Sequence, residues 1–139
     1  MNYLLDTCLI SELVKVSPNQ GVLDWLNGQL EERIFLSVVT IGEIQAGISK
    51  LPESRRKIDL MTWLDTQMLP RFEKRVLSVT PDIAMLWGKT RGEAAAGGTT
   101  LPLADSLIAA TAMAHGMTVV TRNTADLERC GALTLNPWD

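Results

Sequence analysis

The sequence predicts an α/β fold in which a central, mostly parallel sheet of about five strands is covered by helices on both faces. Two observations predict this architecture. Short apolar runs alternate along the chain with stretches of helical periodicity, a pattern typical of parallel sheets with crossover helices. The 139 residues are enough for one hydrophobic core, and no repeat, low-complexity segment or long linker divides them. We therefore predict a single domain over residues 1–139.

The individual elements follow from the positions of these runs. The predicted strands cover residues 2–5, 34–38, 75–79, 118–121 and 132–135. The predicted helices cover residues 7–16, 20–30, 40–51, 54–68, 81–96, 102–115 and 124–129. The third and fourth helices join at Leu51-Pro52 and are expected to form a projecting helical hairpin, or clip.

Local chemistry marks several helix ends. Thr40, with Glu43 three residues later, forms a capping-box pattern at a helix start. Thr80 precedes a proline that suits a first helical turn. Gly116 follows the alanine-rich helix and can adopt the left-handed conformation that closes a helix.

Composition excludes several classes of protein. No run approaches the roughly 18 apolar residues of a membrane helix, and no signal-peptide pattern opens the chain. Cys8 and Cys130 are too few for a disulfide framework, so reduced, buried thiols are expected. We therefore expect a cytoplasmic protein without a membrane partner. The net charge of −3 argues against a protein that coats nucleic acid nonspecifically.

Polar residues recur where the predicted strands end. Asp6 ends the first strand, Glu43 lies in the first turn of the helix after the second, and Asp105 lies in the first turn of the alanine-rich helix. Asn123 and Asp126 follow the fourth strand. Carboxyl ends of parallel strands and the starts of the following helices share one edge of the sheet. These side chains are therefore expected to meet in one crevice.

Each acid alone has an ordinary explanation, because first helical turns favour Asp and Glu. Asp6 is the exception, since an unpaired charge at a buried strand end is costly. Three carboxylates about 5–6 Å apart would repel by roughly 3 kcal/mol per pair at an effective dielectric constant of 20. Divalent cations relieve such repulsion, and Mg²⁺ or Mn²⁺ suits oxygen ligands better than zinc. This arrangement indicates metal-assisted phosphoryl chemistry.

Other catalytic schemes fit less well. The single histidine, His115, closes the helix that Asp105 opens, about 15 Å away, so no serine or cysteine has an obvious activating base. No glycine-rich nucleotide motif is present. A phosphoryl-accepting domain would need a second aspartate beside Asp6 or two residues after it, where Thr7 and Cys8 stand. A non-catalytic binding module stays open.

Several separated segments resemble the PIN-domain family, and specifically the VapC-type toxins of bacterial toxin–antitoxin modules, with FitB-like and plasmid-stability members the most similar. The segments are LLDTCLISEL, SVVTIGEIQAGI, LPLADSLIAATAMAHGMTVVTRNTADL and PW near the end. The resemblance implies a PIN-type α/β/α sandwich. It also implies a divalent-metal-dependent endoribonuclease inhibited by an antitoxin, with a non-catalytic or nucleic-acid-binding PIN module as the alternative.

The resemblance also implies which residues form the site. Asp6, Glu43 and Asp105 would be the acids that bind Mg²⁺, with Mn²⁺ as an alternative ion. Asn123 occupies the family's fourth acidic position, where an amide would orient a water or the metal, and Asp126 would either compensate or only cap its helix.

Three hydroxyls would hold these acids in place. They belong to Thr7, Thr40 and Thr121.

The implied reaction is hydrolysis of a phosphodiester in tRNA or another structured RNA, which leaves 5′-phosphate and 3′-hydroxyl ends. The implied assembly is a homodimer in a tight hetero-oligomer with a cognate antitoxin. We expect an antitoxin segment to lie in a groove formed by helices 7–16 and 40–68.

Basic residues offer contacts for RNA. Arg55 and Arg56, in the densest positive patch, are more typical of a solvated helix face. Arg122, beside the predicted site, is the better candidate for a phosphate contact, and Arg91 could line the same groove. Trp25, Trp63 and Trp87 each have apolar neighbours at helical spacing, which favours core packing over base stacking, with a protein interface as the alternative for one or two of them.

Overall fold

The computed structural model describes residues 1–139 and contains one five-stranded sheet in which every neighbouring pair is parallel. The strands are β1 (Tyr3–Leu5), β2 (Ile34–Ser37), β3 (Val76–Leu77), β4 (Thr118–Val120) and β5 (Thr134–Leu135). Their order is β3-β2-β1-β4-β5, so the first strand of the chain lies in the middle of the sheet. The predicted fold class is confirmed.

Eight α-helices surround this sheet. They are α1 (Thr7–Leu13), α2 (Gln20–Asn27), α3 (Val38–Ser49), α4 (Arg55–Trp63), α5 (Leu69–Phe72), α6 (Pro81–Ala96), α7 (Leu103–His115) and α8 (Thr124–Arg129). A 3₁₀ turn (Glu31–Arg33) precedes β2, and a π-helical turn (Leu64–Met68) joins α4 to α5. None of the helices combines the length and the apolar character that crossing a bilayer requires.

Alternate residues of the central strands face opposite layers, because successive side chains of a strand point to opposite faces. Leu4 and Val119 belong to the core cluster that contains Ile108 of α7. Leu5 and Val120 belong to a second cluster that includes residues of α1, α2 and α3. The two layers therefore hold the short central strands from both sides, and β1 is buried where it ends.

The predicted start of the third helix was wrong. Ser37, not Thr40, is the N-cap of α3, and its hydroxyl accepts a hydrogen bond from the Val39 amide at 3.1 Å. The capping-box pattern misled because a serine at the strand end already serves as the cap. Glu43 therefore lies in the second helical turn and does not close a capping box. The caps at Thr80 and Gly116 are confirmed, the glycine having φ +65°.

The helix that begins at Arg55 runs further than its pattern predicted, through the π-helical turn to Phe72. Pro70 explains the widening, because a proline ring clashes with the carbonyl four residues before it in a regular helix. In the wider turn the Leu69 amide donates to the carbonyl oxygen of Leu64, five residues back. Downstream, Arg71 and Arg75 both pair with Glu31, which ties α5 to the segment before β2.

The residues after β5 return to the start of α2. Asp139 donates its amide to the Asn19 side chain at 3.4 Å, and Trp138 packs against the α1–α2–α3 layer. A Cβ atom on Gly21 would stand only 2.5 Å from the Pro137 carbonyl oxygen. Glycine is therefore required for the last residues to lie this close to α2.

Alanine at Gly21 should lower the free energy of unfolding by about 1–3 kcal/mol, because overpacking forces backbone apart. The matched change Gly88→Ala, in exposed helix where a Cβ meets nothing within 4 Å, should raise it by about 0.5–1 kcal/mol through helix propensity. Urea denaturation of both variants measures the contrast. Equal effects would contradict the close approach at Gly21.

Candidate active site

Asp6 lies where the central strand becomes a helix. Its amide donates to the Val120 carbonyl at 3.0 Å, which continues the β1–β4 pairing by one residue. Only 4% of its surface is exposed. The carboxylate accepts hydrogen bonds from the Thr7 amide at 2.8 Å, from the Thr121 hydroxyl at 2.8 Å and from the Cys8 thiol at 3.6 Å. Asp6 is therefore a buried carboxylate whose orientation is set by hydrogen bonds.

Thr7 connects this strand end to α3. Its hydroxyl donates to the Glu43 carboxylate at 2.5 Å and lies 3.3 Å from the Thr40 hydroxyl. Thr40 is fully buried, whereas Glu43 is exposed. Although the start of the third helix was predicted wrongly, Glu43 still lies at the site. It is held there by its contact with α1 and not by the predicted capping interaction.

Asp105 lies in the first turn of α7 and is half-buried. Burial, and then the negative charges of Asp6, Asp126 and Glu43, raise the pKa of its carboxyl above the ordinary value. The positive charge of Arg129 lowers the pKa of Asp105, but this effect is the smallest of those acting on the carboxyl. The topology thus places four acids from four distant segments within electrostatic reach of one another.

These carboxylates are close enough to affect one another electrostatically, but they do not surround a single metal position. No three Asp, Glu, His or Cys side chains lie close enough together to hold one metal ion. Mg²⁺ commonly keeps several waters and uses one or two carboxylates together with substrate phosphates. An all-oxygen set with excess negative charge fits an ion held in that way, and it does not fit a zinc site of the tetrahedral nitrogen and sulfur type.

The residues after β4 take two different roles. Asn123 is exposed at the start of α8, its amide donates to the Thr121 hydroxyl at 2.9 Å, and its side chain caps nothing. Asp126 forms an ion pair with Arg129 one helical turn later. Asn123 therefore keeps a free amide beside the site, whereas the charge of Asp126 is partly compensated.

The two cysteines are free thiols. Cys130 is buried as expected, but Cys8 is only half-buried because it sits at the rim beside Asp6. Burial, the main cause, and the negative charge of Asp6 raise the pKa of the Cys8 thiol. A raised pKa keeps sulfur protonated, which suits its hydrogen bond to Asp6 and not a nucleophilic role.

The predicted basic contacts separate into two kinds. Arg55 pairs with Asp59 within α4 at 3.2 Å, and Arg56 beside it is exposed, as on a solvated helix face. Arg122 and Arg91 instead lie over aromatic rings. Their guanidinium carbons are 5.9 Å and 5.1 Å from the ring centroids of Trp138 and Trp87.

The tryptophans pack as expected from their spacing. Trp25 makes an edge-on contact with Tyr3, with ring centroids 5.1 Å apart. Trp87 donates its indole N–H to the Ser106 hydroxyl at 3.0 Å. Trp63 is half-buried between two surface cavities.

Sequence reasoning missed Glu12, although it is 4% exposed. Its carboxylate accepts hydrogen bonds from the Trp138 indole N–H and the Lys15 ammonium, both at 3.0 Å, and from the Asn19 amide at 3.1 Å. These bonds, led by that of Trp138, hold the pKa of Glu12 below its usual value. An acid between the apolar residues Leu9 and Leu13 was the available signal.

A groove of about 170 Å³ opens between α1, α3 and α4, with Thr7 and Glu43 at one end. Its other lining residues are mostly apolar: Ile10, Ser11, Val14, Ile44, Gly47, Ile48, Leu51, Leu60 and Trp63. The groove thus runs from the clip of α3 and α4 to the acidic site.

In a chelator, the variant Asp105→Asn should be more stable than the wild type at pH 7. When it is ionised, Asp105 is destabilised by burial and repelled by the neighbouring carboxylates, and both effects raise its pKa in the folded protein. The protonated side chain therefore stabilises the fold below the ordinary carboxyl pKa. This contribution to stability is lost as the pH rises through the folded-state pKa. Urea denaturation between pH 3 and 7 measures the difference. A difference that did not shrink at low pH would contradict the crowding of charges.

Comparison with known proteins matches this architecture. The model of the PIN domain family matches residues 3–132. Plasmid stability protein StbB of Pseudomonas syringae pv. tomato is 39% identical over 98% of both chains, and VapC ribonuclease Y4jK of Sinorhizobium fredii is 36% identical over 98% of this chain and 97% of its own. The crystal structure of FitAcB from Neisseria gonorrhoeae superposes with a TM-score of 0.90, at 34% identity over 98% of both chains. The chain therefore belongs to the PIN-domain family, among its VapC- and FitB-type toxins.

Proposed function

We propose that this protein is the ribonuclease toxin of a toxin–antitoxin pair, an enzyme that hydrolyses RNA phosphodiesters and is inhibited by a cognate antitoxin. The observation that carries the proposal is the environment of Asp6. Its buried carboxylate accepts hydrogen bonds from the amide of one threonine and the hydroxyl of another, and it lies near Glu43 and Asp105. The relative named a VapC ribonuclease matches nearly the whole chain. The RNA and the enzyme would meet in the cytoplasm.

We assign the binding of the metal to Asp6, Glu43 and Asp105, with Mg²⁺ preferred and Mn²⁺ as an alternative. When bound, such an ion supplies an activated water and neutralises charge on the phosphodiester. The excess negative charge around Asp105 supports this assignment, since a cation relieves it. Because no three of these groups converge on one point, waters and an RNA phosphate would complete the coordination.

The neighbouring residues position these acids. Thr121 and Thr7 fix the two oxygens of Asp6, so that its remaining lone pairs point in set directions. Thr7, with Thr40 beside it, also holds Glu43. Asn123 has an uncommitted side-chain amide that can donate to an attacking water or to a phosphate oxygen.

The proposed products are RNA fragments with 5′-phosphate and 3′-hydroxyl ends, and the proposed substrates are tRNA or other structured RNA. Arg122 supports a contact with the RNA chain, because it lies just after β4, next to the Thr121 that binds Asp6. Its guanidinium has no carboxylate partner among the ion pairs of the chain. Arg55 and Arg56 are weaker candidates, since they lie on α4.

Antitoxin-free protein incubated with total tRNA and Mg²⁺ should produce discrete fragments, and Asp6→Asn should reduce the rate by at least about a hundredfold, as expected for loss of a metal-positioning charge. Sequencing gels measure the fragments and their ends. Asp24→Asn is the matched control, because Asp24 is exposed and bonds only to Gln20 of its own helix. A folded wild type that cuts no structured RNA would sink the proposal.

We place the antitoxin in the groove between α1, α3 and α4. Its apolar lining suits the apolar side chains of a bound segment, and Thr7 and Glu43 at its end would bring that segment to the acids. Inhibition would then combine anchoring in the groove with obstruction of the site. We also propose that the toxin forms a homodimer within a toxin–antitoxin hetero-oligomer.

Leucine at Gly47 should prevent neutralisation by the antitoxin while ribonuclease activity persists. Gly47 lines the groove, and a Cβ there meets nothing within 4 Å, so a larger side chain can occupy the groove without disturbing the fold. Growth after co-expression of toxin and cognate antitoxin measures neutralisation. Gly92→Leu, on exposed α6 with the same open surroundings, is the matched control and should remain fully neutralised.

A further inference from the structure

Arg122 is held next to the acidic site by hydrogen bonds of the backbone. Its amide donates to the Cys8 sulfur at 3.5 Å, and the next amide, of Asn123, donates to the Thr121 hydroxyl that binds Asp6. Its backbone is therefore part of the network around Asp6. Its exposed side chain lies over the ring of Trp138 and has no carboxylate partner.

The Trp138 ring is itself fixed. Its indole N–H donates to Glu12 at 3.0 Å, across 126 residues of chain. Its backbone amide donates to the Asn136 side chain at 2.9 Å, which sets the turn after β5. The ring also packs against the core layer of α1 and α2. The aromatic surface below Arg122 is thus rigid, unlike that of a tryptophan free on the surface.

Glu12, a residue of α1, is the hydrogen-bond acceptor that fixes this arrangement. It is buried, and its two oxygens accept from Trp138, Lys15 and Asn19. A buried carboxylate needs such partners, so the indole N–H has a definite position to occupy. The chain of contacts runs from α1 through Trp138 to Arg122 and ends at the edge of the sheet that carries Asp6.

We propose that Trp138 is a positioning residue for RNA: it holds the Arg122 guanidinium at the rim of the site, where that group binds a phosphate of the RNA chain. The inference rests on the proposed ribonuclease function and adds a residue that does not touch the reacting atoms. A guanidinium stacked on an aromatic face keeps its N–H edges free for a phosphate. Less side-chain freedom is then lost when RNA binds.

A purely structural role for Trp138 makes a different prediction. If the indole only anchored the last residues, its loss would change stability, and any effect on RNA binding would be independent of Arg122. If it acts through Arg122, its loss should have no further effect once Arg122 has been replaced. A double-mutant cycle therefore separates the two roles.

The experiment measures binding of a fluorescein-labelled stem-loop RNA in EDTA at low salt, where hydrolysis does not interfere. Arg122→Gln should weaken binding about tenfold, as for loss of one charged hydrogen-bonded contact, and should flatten the dependence of log K on log salt by about 0.7. Trp138→Leu should weaken binding about threefold. In the double variant the Trp138→Leu change should add nothing.

Trp138→Phe is the second variant and guards against unfolding. It loses the hydrogen bond to Glu12, as Trp138→Leu does, but it keeps an aromatic face for Arg122. Both variants should lower the melting temperature similarly, and only Trp138→Leu should weaken RNA binding. Equal weakening by Phe and Leu, or an additive effect in the double variant, would overturn the proposal.

The same variants are assayed for tRNA cleavage in Mg²⁺. Trp138→Leu and Arg122→Gln should raise KM while kcat changes less than about twofold, since a remote phosphate contact is made equally in ground and transition states. If RNA binding showed the expected coupling between Trp138 and Arg122 but the wild type cut no RNA, the ribonuclease function would be contradicted and the positioning role would be supported. Cleavage without coupling would overturn the positioning role and leave the ribonuclease function in place.

Discussion

The hydrogen bond from the Thr121 hydroxyl to the Asp6 carboxylate joins the carboxyl ends of the two central strands, and the site is built around it. Asp6 is buried, and its carboxylate oxygens accept hydrogen bonds from Thr7 at the start of α1 and from Thr121 directly after β4 in place of water. The Thr121 oxygen in turn accepts the Asn123 amide, which sets the start of α8. One interaction thus fixes an acid, a hydroxyl and the direction of the next helix.

Around that fixed point the fold concentrates negative charge. Parallel strands deliver helix starts to one edge, and three of those segments bring acids close enough to act on Asp105. Within the group only Asp126 has a cationic side chain paired with it. The remaining excess of negative charge lowers the stability of the protein alone, and a bound cation would relieve it.

Much of this arrangement could be predicted because it follows from periodicity and order. Short apolar strands, the helix starts after them and the shared edge of parallel strands are enough to bring Asp6, Glu43 and Asp105 together. Glu43 shows the limit of local patterns: its capping box with Thr40 was wrong, because Ser37 competes for the same helix start. Its contact with Thr7 comes from packing between distant helices.

The pairing of Glu12 and the π-helical turn were not predicted, because neither follows from the periodicity of a single element. Periodicity alone gives no partner for a polar residue on an apolar helix face, so Glu12 could be flagged as odd but not paired with Trp138. The π-helical turn likewise needs both Pro70 and the continuation of a helix beyond it.

The position of β1 between β2 and β4 has a consequence for the timing of activity during synthesis. Asp6 is synthesised before its partner Thr121, which follows 115 residues later. At synthesis rates of about 5–20 residues per second, the gap lasts roughly 6–23 seconds. A growing chain therefore cannot form the Asp6 network until Thr121 has been translated, so this acidic edge of the sheet is assembled only after the segments that carry Glu43 and Asp105 have been made.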